Sequence, residues 1–443
     1  SVWTATAHVV TVIIGSGVLA IPWSAAQLGW ILAFSVLLFF SFAAYYNSTL
    51  LADCYRHPGP LEGRRNRTYM DAIWWFLFLG EKTVTMCGIV QYIILWGSLV
   101  GYTLTAAMSV KQIRTTACLH VKGKNAPCQN SGMLSLLIFD GMQIVLSQLP
   151  NLANVAILSY IAAAMSFTYS FIGLYLCIRV FASQHEIRGS LFVGSDSASS
   201  ITIWHTFQAL GNIAFAYTFS MILIEIQDTL KSPPPENKTM KKAAFYGIGL
   251  TTLFYISLGF VGYAAFGSAA PGNVITGFTE PFWLIEVGNT AVVVHLVGAY
   301  QVYGQPAFAS CESLCAAKWP NSGFFHSVHK LRLPFAKDKF FEFTFARVVL
   351  RTIFVCLTTL VAATIPFFNS VLGLLGSIAF WPLTVYYPVS MHVAQAEVKR
   401  WSIKWVSLMA MTWTCLLVAV LGAAGSIVEI TKQMDHAKLF HIQ

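Results

Sequence analysis

The groups in this chain best placed to do chemistry are backbone amides rather than side chains. Gly15-Ser16-Gly17 and Pro22 lie inside an apolar run, 2 to 28, that is long enough to cross a bilayer. Glycine costs a helix about 1 kcal/mol relative to alanine and an internal proline removes a backbone bond, so the helix is expected to break at Ile14 to Gly17. In lipid such a break is tolerated only where it lines a cavity. A second interruption, Gly211-Asn212-Ile213-Ala214-Phe215-Ala216-Tyr217, falls inside the run 204 to 229. A helix stopped in mid-membrane exposes N–H groups where it restarts, here near Ser16, Gly17 and Val18, which suit an anion such as a carboxylate. Carbonyls where it stops, near Ile14 and from Ile213 through Ala214 to Phe215, suit an ammonium. One molecule carrying both groups is an α-amino acid; a carboxylate alone, or sodium with chloride, is also served.

Titratable groups at membrane depth are functional candidates by default. His8 shares a helical face with Thr11 and Gly15, so it is either a proton carrier aimed along the cavity or a hydrogen-bonded packing histidine. Asp140 stands near the middle of the run 132 to 149, either facing the bundle interior or at a different depth. Glu225, Gln227 and Asp228 end the sixth run, as an inner gate with Arg347 or Arg351 or as interfacial charge. Trp381, in Phe380-Trp381-Pro382, is a gating aromatic or packing, and His295 beside Gly298 fits helix packing. No Gly-x-x-x-x-Gly-Lys loop and no His-Glu-x-x-His occurs, which leaves no catalytic or metal constellation and favours an ion gradient over ATP.

These residues must be held by membrane helices. The chain is 56% hydrophobic and only 10% charged, against roughly a quarter charged in soluble domains. Apolar runs place eleven spans, at 2 to 28, 29 to 54, 83 to 110, 132 to 149, 154 to 180, 204 to 229, 243 to 266, 281 to 308, 345 to 365, 369 to 390 and 403 to 430. With the N-terminus cytosolic, seventeen basic residues fall in inner loops against eight outside, so N-inside and C-outside is expected. No charged signal region precedes the first span, as expected of a chain whose cytosolic tail has been trimmed. The net charge of +9 is then an inner-leaflet signal with no nucleic-acid partner. Cys118 and Cys128 fall in the outer loop after span three, where a disulfide is expected. The sequons at Asn66 and Asn237 fall inside and are expected to carry no glycan. Breaks in the first and sixth spans mark an inverted-repeat transporter with its site near the midplane. The repeats are 1–180 and 204–390 within one transmembrane domain, and 403–430 is an added helix.

The residues also resemble the plant amino acid permeases, of the amino acid/auxin permease group within the amino acid-polyamine-organocation superfamily. The likeness runs through 5–19 with Trp23 and 26–30, then 147–151, 165–170, 207–217, 223–234, 295–302 and 376–386. It implies an all-α fold of the leucine-transporter type, with a 5+5 inverted repeat plus one helix. It further implies import of amino acids across the plasma membrane, coupled to protons and needing no cofactor, and it supports the Cys118–Cys128 bridge. By the same matching, His8 and Ile14, Gly15, Ser16 and Gly17 correspond to the family's site region in span one, and Asn212 to Tyr217 to that in span six. This chain departs from the pattern at Asn212, where many members have aspartate, at Ser370 and Ser390, where acids are expected, and at Pro22. Asparagine carries no proton, so His8 becomes the leading proton carrier and Asp140 the second. A carrier of auxin or a polyamine, and a non-transporting amino-acid sensor, are the alternative readings.

Overall fold

The computed structural model describes residues 1–77, 80–123, 126–128, 131–148, 152–184, 186–192, 200–332 and 340–436. The loop expected at 150 to 153 falls largely outside the described residues, as do Lys124, Lys337, Lys339 and Lys438 of the charge count.

Helix α1 (Val2–Ile13) stops at the expected break, and the chain restarts at Gly17 as α2 (Gly17–Asp53). Pro22 is accommodated within the first two turns of α2. At Gly29 the backbone turns to φ 75°, folding α2 into two crossings. The amides that this turn frees are satisfied from outside the helix: Trp30 N–H donates to the Ser190 carbonyl at 3.1 Å and Ile31 N–H to that of Leu191 at 3.3 Å.

After a hairpin of β1 (Arg56–Pro58) and β2 (Gly63–Arg65) comes α3 (Tyr69–Leu77), which opens on a reciprocal cap between Thr68 and Asp71. It buries Tyr69, Ala72, Ile73 and Phe76 and leaves Trp74 exposed, the pattern of an amphipathic surface helix. Then follow α4 (Gly80–Lys122), α5 (Gly132–Ser147), α6 (Leu152–Gln184), α7 (Ser200–Ala216), α8 (Leu223–Asp228) and α9 (Glu236–Phe266). Next are α10 (Phe282–Lys318), α11 (Gly323–His326), the hairpin β3 (His329–Arg332) with β4 (Phe340–Phe343), and α12 (Phe345–Thr364). The chain ends with α13 (Phe368–Ala379), a π-helical stretch at Phe380–Tyr386, α14 (Tyr387–Gln395) and α15 (Ile403–His436). Pro382 has no N–H to give, and the wider i to i−5 ladder absorbs its loss.

Among the described residues nine helices are long and apolar enough to span a membrane. Dividing α2 at Gly29 and adding the shorter α5 gives the eleven crossings expected from the sequence. The chain is therefore an all-α, multi-pass membrane protein. Helix α4 runs three turns beyond the expected end at 110, so Cys118 lies on its last turns rather than in a loop; its disulfide to Cys128 closes the segment that follows. Both sequon amides are occupied: Asn66 donates to the Cys54 carbonyl at 2.9 Å and Asn237 to Asp53 at 2.9 Å.

Two groups of helices face each other. In one, α2 packs on α7 and α9, and α9 on α1; in the other, α4, α5, α10 and α12 pack mutually. Helix α13 touches both through α7 and α4, and α15 packs against α7 and α13.

A β-carbon at Gly29 would meet backbone of residues 190 to 192 at 3.0 to 3.2 Å, on top of a positive φ. Gly29→Ala is expected to cost about 1–3 kcal/mol and to lower the melting temperature of the detergent-solubilised protein; an unchanged melt contradicts this account of the turn.

Candidate functional site

The two breaks meet across one small cavity. It is lined by Val12, Ile13, Gly15, Ser16 and Gly17 of the first break, Phe215, Ala216, Thr218 and Met221 of the second, Ile94, Ser98 and Tyr102 of α4, and Tyr303 of α10. Close approach is possible because residue 17 has no side chain: a β-carbon there would sit 3.1 Å from Ala216 Cα. The cavity volume is about 10 Å³, space for a single water.

Helix α2 begins in this cavity with no side-chain cap, and the Ser16 hydroxyl, fully buried, has no hydrogen-bond partner. An uncapped helix start beside an orphan hydroxyl is a seat for an anion. The carbonyl ends are handled differently. The Tyr255 hydroxyl of α9 lies 2.7 Å from the Ile13 carbonyl and 3.0 Å from that of Ala216, bridging the stopped ends of both broken helices. The Tyr169 hydroxyl of α6 lies 3.2 Å from the Ile14 carbonyl and 3.0 Å from that of Gly15. The Ile13 carbonyl also accepts from Gly15 N–H at 2.9 Å and is filled, whereas the carbonyls of Ile14, Gly15 and Ala216 keep a second lone pair for a cation.

The second break lies further along than the sequence suggested. Gly211 and Asn212 are helical, and α7 runs unbroken to Ala216 before Tyr217, Thr218 and Phe219 interrupt it. Tertiary packing overrides the propensity of the small residues there: a β-carbon at Gly211 would collide with the Gly373 carbonyl of α13, so the glycine serves helix contact and not helix breaking. Of the eight residues expected at the substrate, Gly15, Ser16, Gly17 and Phe215 line the cavity. Ile14 and Ala214 contribute carbonyls, to Tyr169 and to Tyr217 N–H respectively. The Tyr217 hydroxyl donates to Thr252 at 3.0 Å, and Asn212 points to α13 and α15.

Neither expected proton carrier touches the cavity. His8 lies against Tyr160, which is 56% exposed on the outer surface of the bundle. Asp140 accepts a hydrogen bond from Thr359, tying α5 to α12. His295 Nδ1 is 2.8 Å from the Ala162 carbonyl and its ring packs edge-on to Tyr169, behind the cavity wall.

The expected inner gate is corrected. Arg351 pairs with Glu312 of α10 at 2.5 Å and donates to the Ser147 carbonyl, because α12 packs chiefly on α4, α5 and α10. Asp228 instead accepts from the Tyr55 hydroxyl at 2.6 Å and, with Arg64, Arg65, Arg67 and Asp71, lines a surface cavity of about 660 Å³. Burial, and then the Asp228 carboxylate, push the Tyr55 phenol above its ordinary range, so it remains a donor. Glu225 accepts from Tyr69 N–H at 3.4 Å. Trp381 donates to the Thr412 carbonyl of α15 and stands away from the cavity. At the opposite end an apolar plug of Ala20, Phe368 and Leu372, with Met108 and Phe215 packed on it, separates the cavity from a wider pocket of about 550 Å³.

The residues that sequence reasoning missed are the tyrosines 102, 169, 255 and 303. Their signal was available: a buried tyrosine in an apolar span needs a partner for its hydroxyl. Tyr102 and Tyr303 hydrogen-bond each other across α4 and α10, with ring centroids 5.5 Å apart.

Residues 1–432 match the family described as transmembrane amino acid transporter protein. The chain belongs to that family. Amino acid permease 8 of Arabidopsis thaliana is 48% identical over 99% of this chain and 92% of that protein, and amino acid permease 1 of the same plant 47% over 99% and 90%. Its membership in the amino acid permeases, which are transporters and not enzymes, follows from these matches. Among solved structures the fold is similar to that of MhsT in complex with L-phenylalanine, with a TM-score of 0.59 and 11% identity over 96% of this chain and 98% of that one. It is also similar to Mhp1, a nucleobase-cation-symport-1 family transporter, with a TM-score of 0.55 and 13% identity over 98% and 92%. The permease fold is thus of the leucine-transporter type.

Tyr255→Phe removes the one hydroxyl that bridges the Ile13 and Ala216 carbonyls, a loss of about 1–3 kcal/mol. The variant is expected to melt lower and to transport at least tenfold more slowly; wild-type values for both would show the hydroxyl to be idle.

Proposed function

We propose that this chain is a symporter that imports amino acids across the plasma membrane by alternating access, driven by the proton gradient. The substrate sits between the two helix breaks. One observation carries the reading: the unpartnered Ser16 hydroxyl and the uncapped start of α2 face a cavity that the second break also lines. A carboxylate there receives N–H groups and a hydroxyl, while an ammonium finds the spare lone pairs of the carbonyls of Ile14, Gly15 and Ala216. The wall residues Val12, Ile94, Phe215 and Met221 leave a mostly apolar place for the substrate's own side chain. Room for one water means that loading requires the plug at Phe215 and Phe368 to part. The names of the Arabidopsis relatives support amino acids as the cargo, and the family resemblance of the sequence supports protons as the driving ion. The excess of basic residues in the loops on the α3 side supports a cytosolic N-terminus and an extracellular C-terminus.

Uptake in oocytes or proteoliposomes across a panel of amino acids, auxin and polyamines tests this. Amino-acid-evoked inward current that persists without sodium and fades at alkaline external pH is expected. Ser16→Ala removes one hydrogen bond to the carboxylate and is expected to raise KM roughly five- to tenfold, from about 1–1.5 kcal/mol. Uptake indifferent to the proton gradient sinks the coupling, and amino acids neither transported nor bound sink the substrate class.

A further inference from the structure

Three helices present residues, all but one of them polar, at the same spacing toward one seam beside the substrate cavity. Helix α7 offers His205, Gln208 and Asn212; α13 offers Ser370, Gly373 and Ser377; α15 offers Ser426, Glu429 and Gln433. Each set steps by three and then four, one face of a helix, and these helices are in mutual contact.

At the outer end of the seam Glu429 accepts from Gln433 at 2.6 Å and lies 3.2 Å from His205 Nε2. Glu429 also lines the outer pocket of about 550 Å³ together with Lys432, Asn369 and Ser370. One turn deeper, Gln208 donates to Ser370 at 3.2 Å. Below that the hydrogen-bond accounting fails. Gln208 Oε1, both polar atoms of Asn212 and the Ser426 hydroxyl are buried and have no partner among the described residues. Asn212 and Gln208 are each only 1% exposed, and Ser426 is fully enclosed. Asn212 Oδ1, Ser426 Oγ and the Gln208 carbonyl all come within 3.1 Å of the point where Gly373 lacks a β-carbon. Buried polar groups that protein leaves unpaired are normally paired by ordered water.

We propose that this seam is the outer proton path of the transporter, with Glu429 and His205 as the proton-accepting pair. Water held by Gln208, Asn212 and Ser426 relays the proton inward. The proton enters from the outer pocket onto the Glu429–His205 pair. Each water then accepts one proton and passes one on, so the amides and hydroxyl hold the waters and gain no charge. Asn212 lies one turn before Ala216, which lines the substrate cavity, so a proton arriving there acts on the same helix that the substrate touches. The groups facing Glu429 are few among the described residues: His205 on α7, Lys432 and Gln433 on α15, and Asn369 and Ser370 on α13, with Trp23 of α2 edge-on to His205. Only His205 and Lys432 of these titrate. The inference rests on the proton-coupled reading above and places its acceptor on α15, outside both inverted repeats.

The test uses the full chain in proteoliposomes, with the best-transported amino acid of the panel as probe and a trapped pH dye. In the wild type, outside acidification is expected to raise uptake, and the dye to report proton entry with substrate. Glu429→Gln is expected to abolish that stimulation and to cut proton-driven accumulation at least tenfold, while exchange at equal pH falls by much less. Glu429→Asp restores part of the pH response, which a purely structural role does not require. Should Glu429→Gln fail to reach the membrane, His205→Gln gives an independent reading and is expected to displace the pH profile. Wild-type pH dependence that survives both substitutions overturns the seam assignment alone. Wild-type uptake that ignores pH overturns the coupling reading and this inference with it.

Discussion

A backbone N–H or C=O in the middle of a bilayer must find a partner, and this chain breaks two helices where water cannot supply one. Everything around the cavity follows from how those orphaned groups are treated. The carbonyl ends are met by phenolic hydroxyls that α6 and α9 bring in from the side, Tyr169 to the first break and Tyr255 to both. The amide end at Ser16 and Gly17 receives no such help. The asymmetry gives the site a direction: the positive pole is left open for a ligand, and the negative poles are partly quenched.

The sequence showed the fold at the level of crossings because an apolar run of about 20 residues admits few structures in lipid. It also showed the first break, since Gly15, Gly17 and Pro22 are local obstacles to a helix. It misplaced the second by about half a turn to two turns, because Gly211 looks the same in sequence whether it ends a helix or lets another helix approach. Only contact with Gly373 of α13 distinguishes the two. The Arg351 pairing was out of reach for a related reason. Which face of α12 meets which neighbour depends on how eleven helices pack, and charge alone cannot report that.

Closure of the site uses different materials at its two ends. At the α13 end it is apolar, with Phe215 against Phe368 and Leu372, which can separate without leaving a polar group unpaired. At the α3 end it is polar: the Tyr55 hydroxyl on Asp228, Tyr69 N–H on Glu225 and the Tyr69 hydroxyl on the Leu383 carbonyl tie the segment after α2, α3, α8 and the π-helical stretch together. Opening at the α3 end therefore means exchanging directed bonds, whereas opening at the α13 end means wetting a greasy contact.

Tyr255 carries one hydroxyl hydrogen but stands within bonding distance of two carbonyls, Ile13 at 2.7 Å and Ala216 at 3.0 Å, on two different helices. A single donor cannot serve both at full strength. Whichever broken helix swings away yields the hydrogen to the other, so the bond given up by one is recovered in part by its neighbour. The hydroxyl is thus placed as a two-position latch, whose total bonding would change little were the two helices to separate.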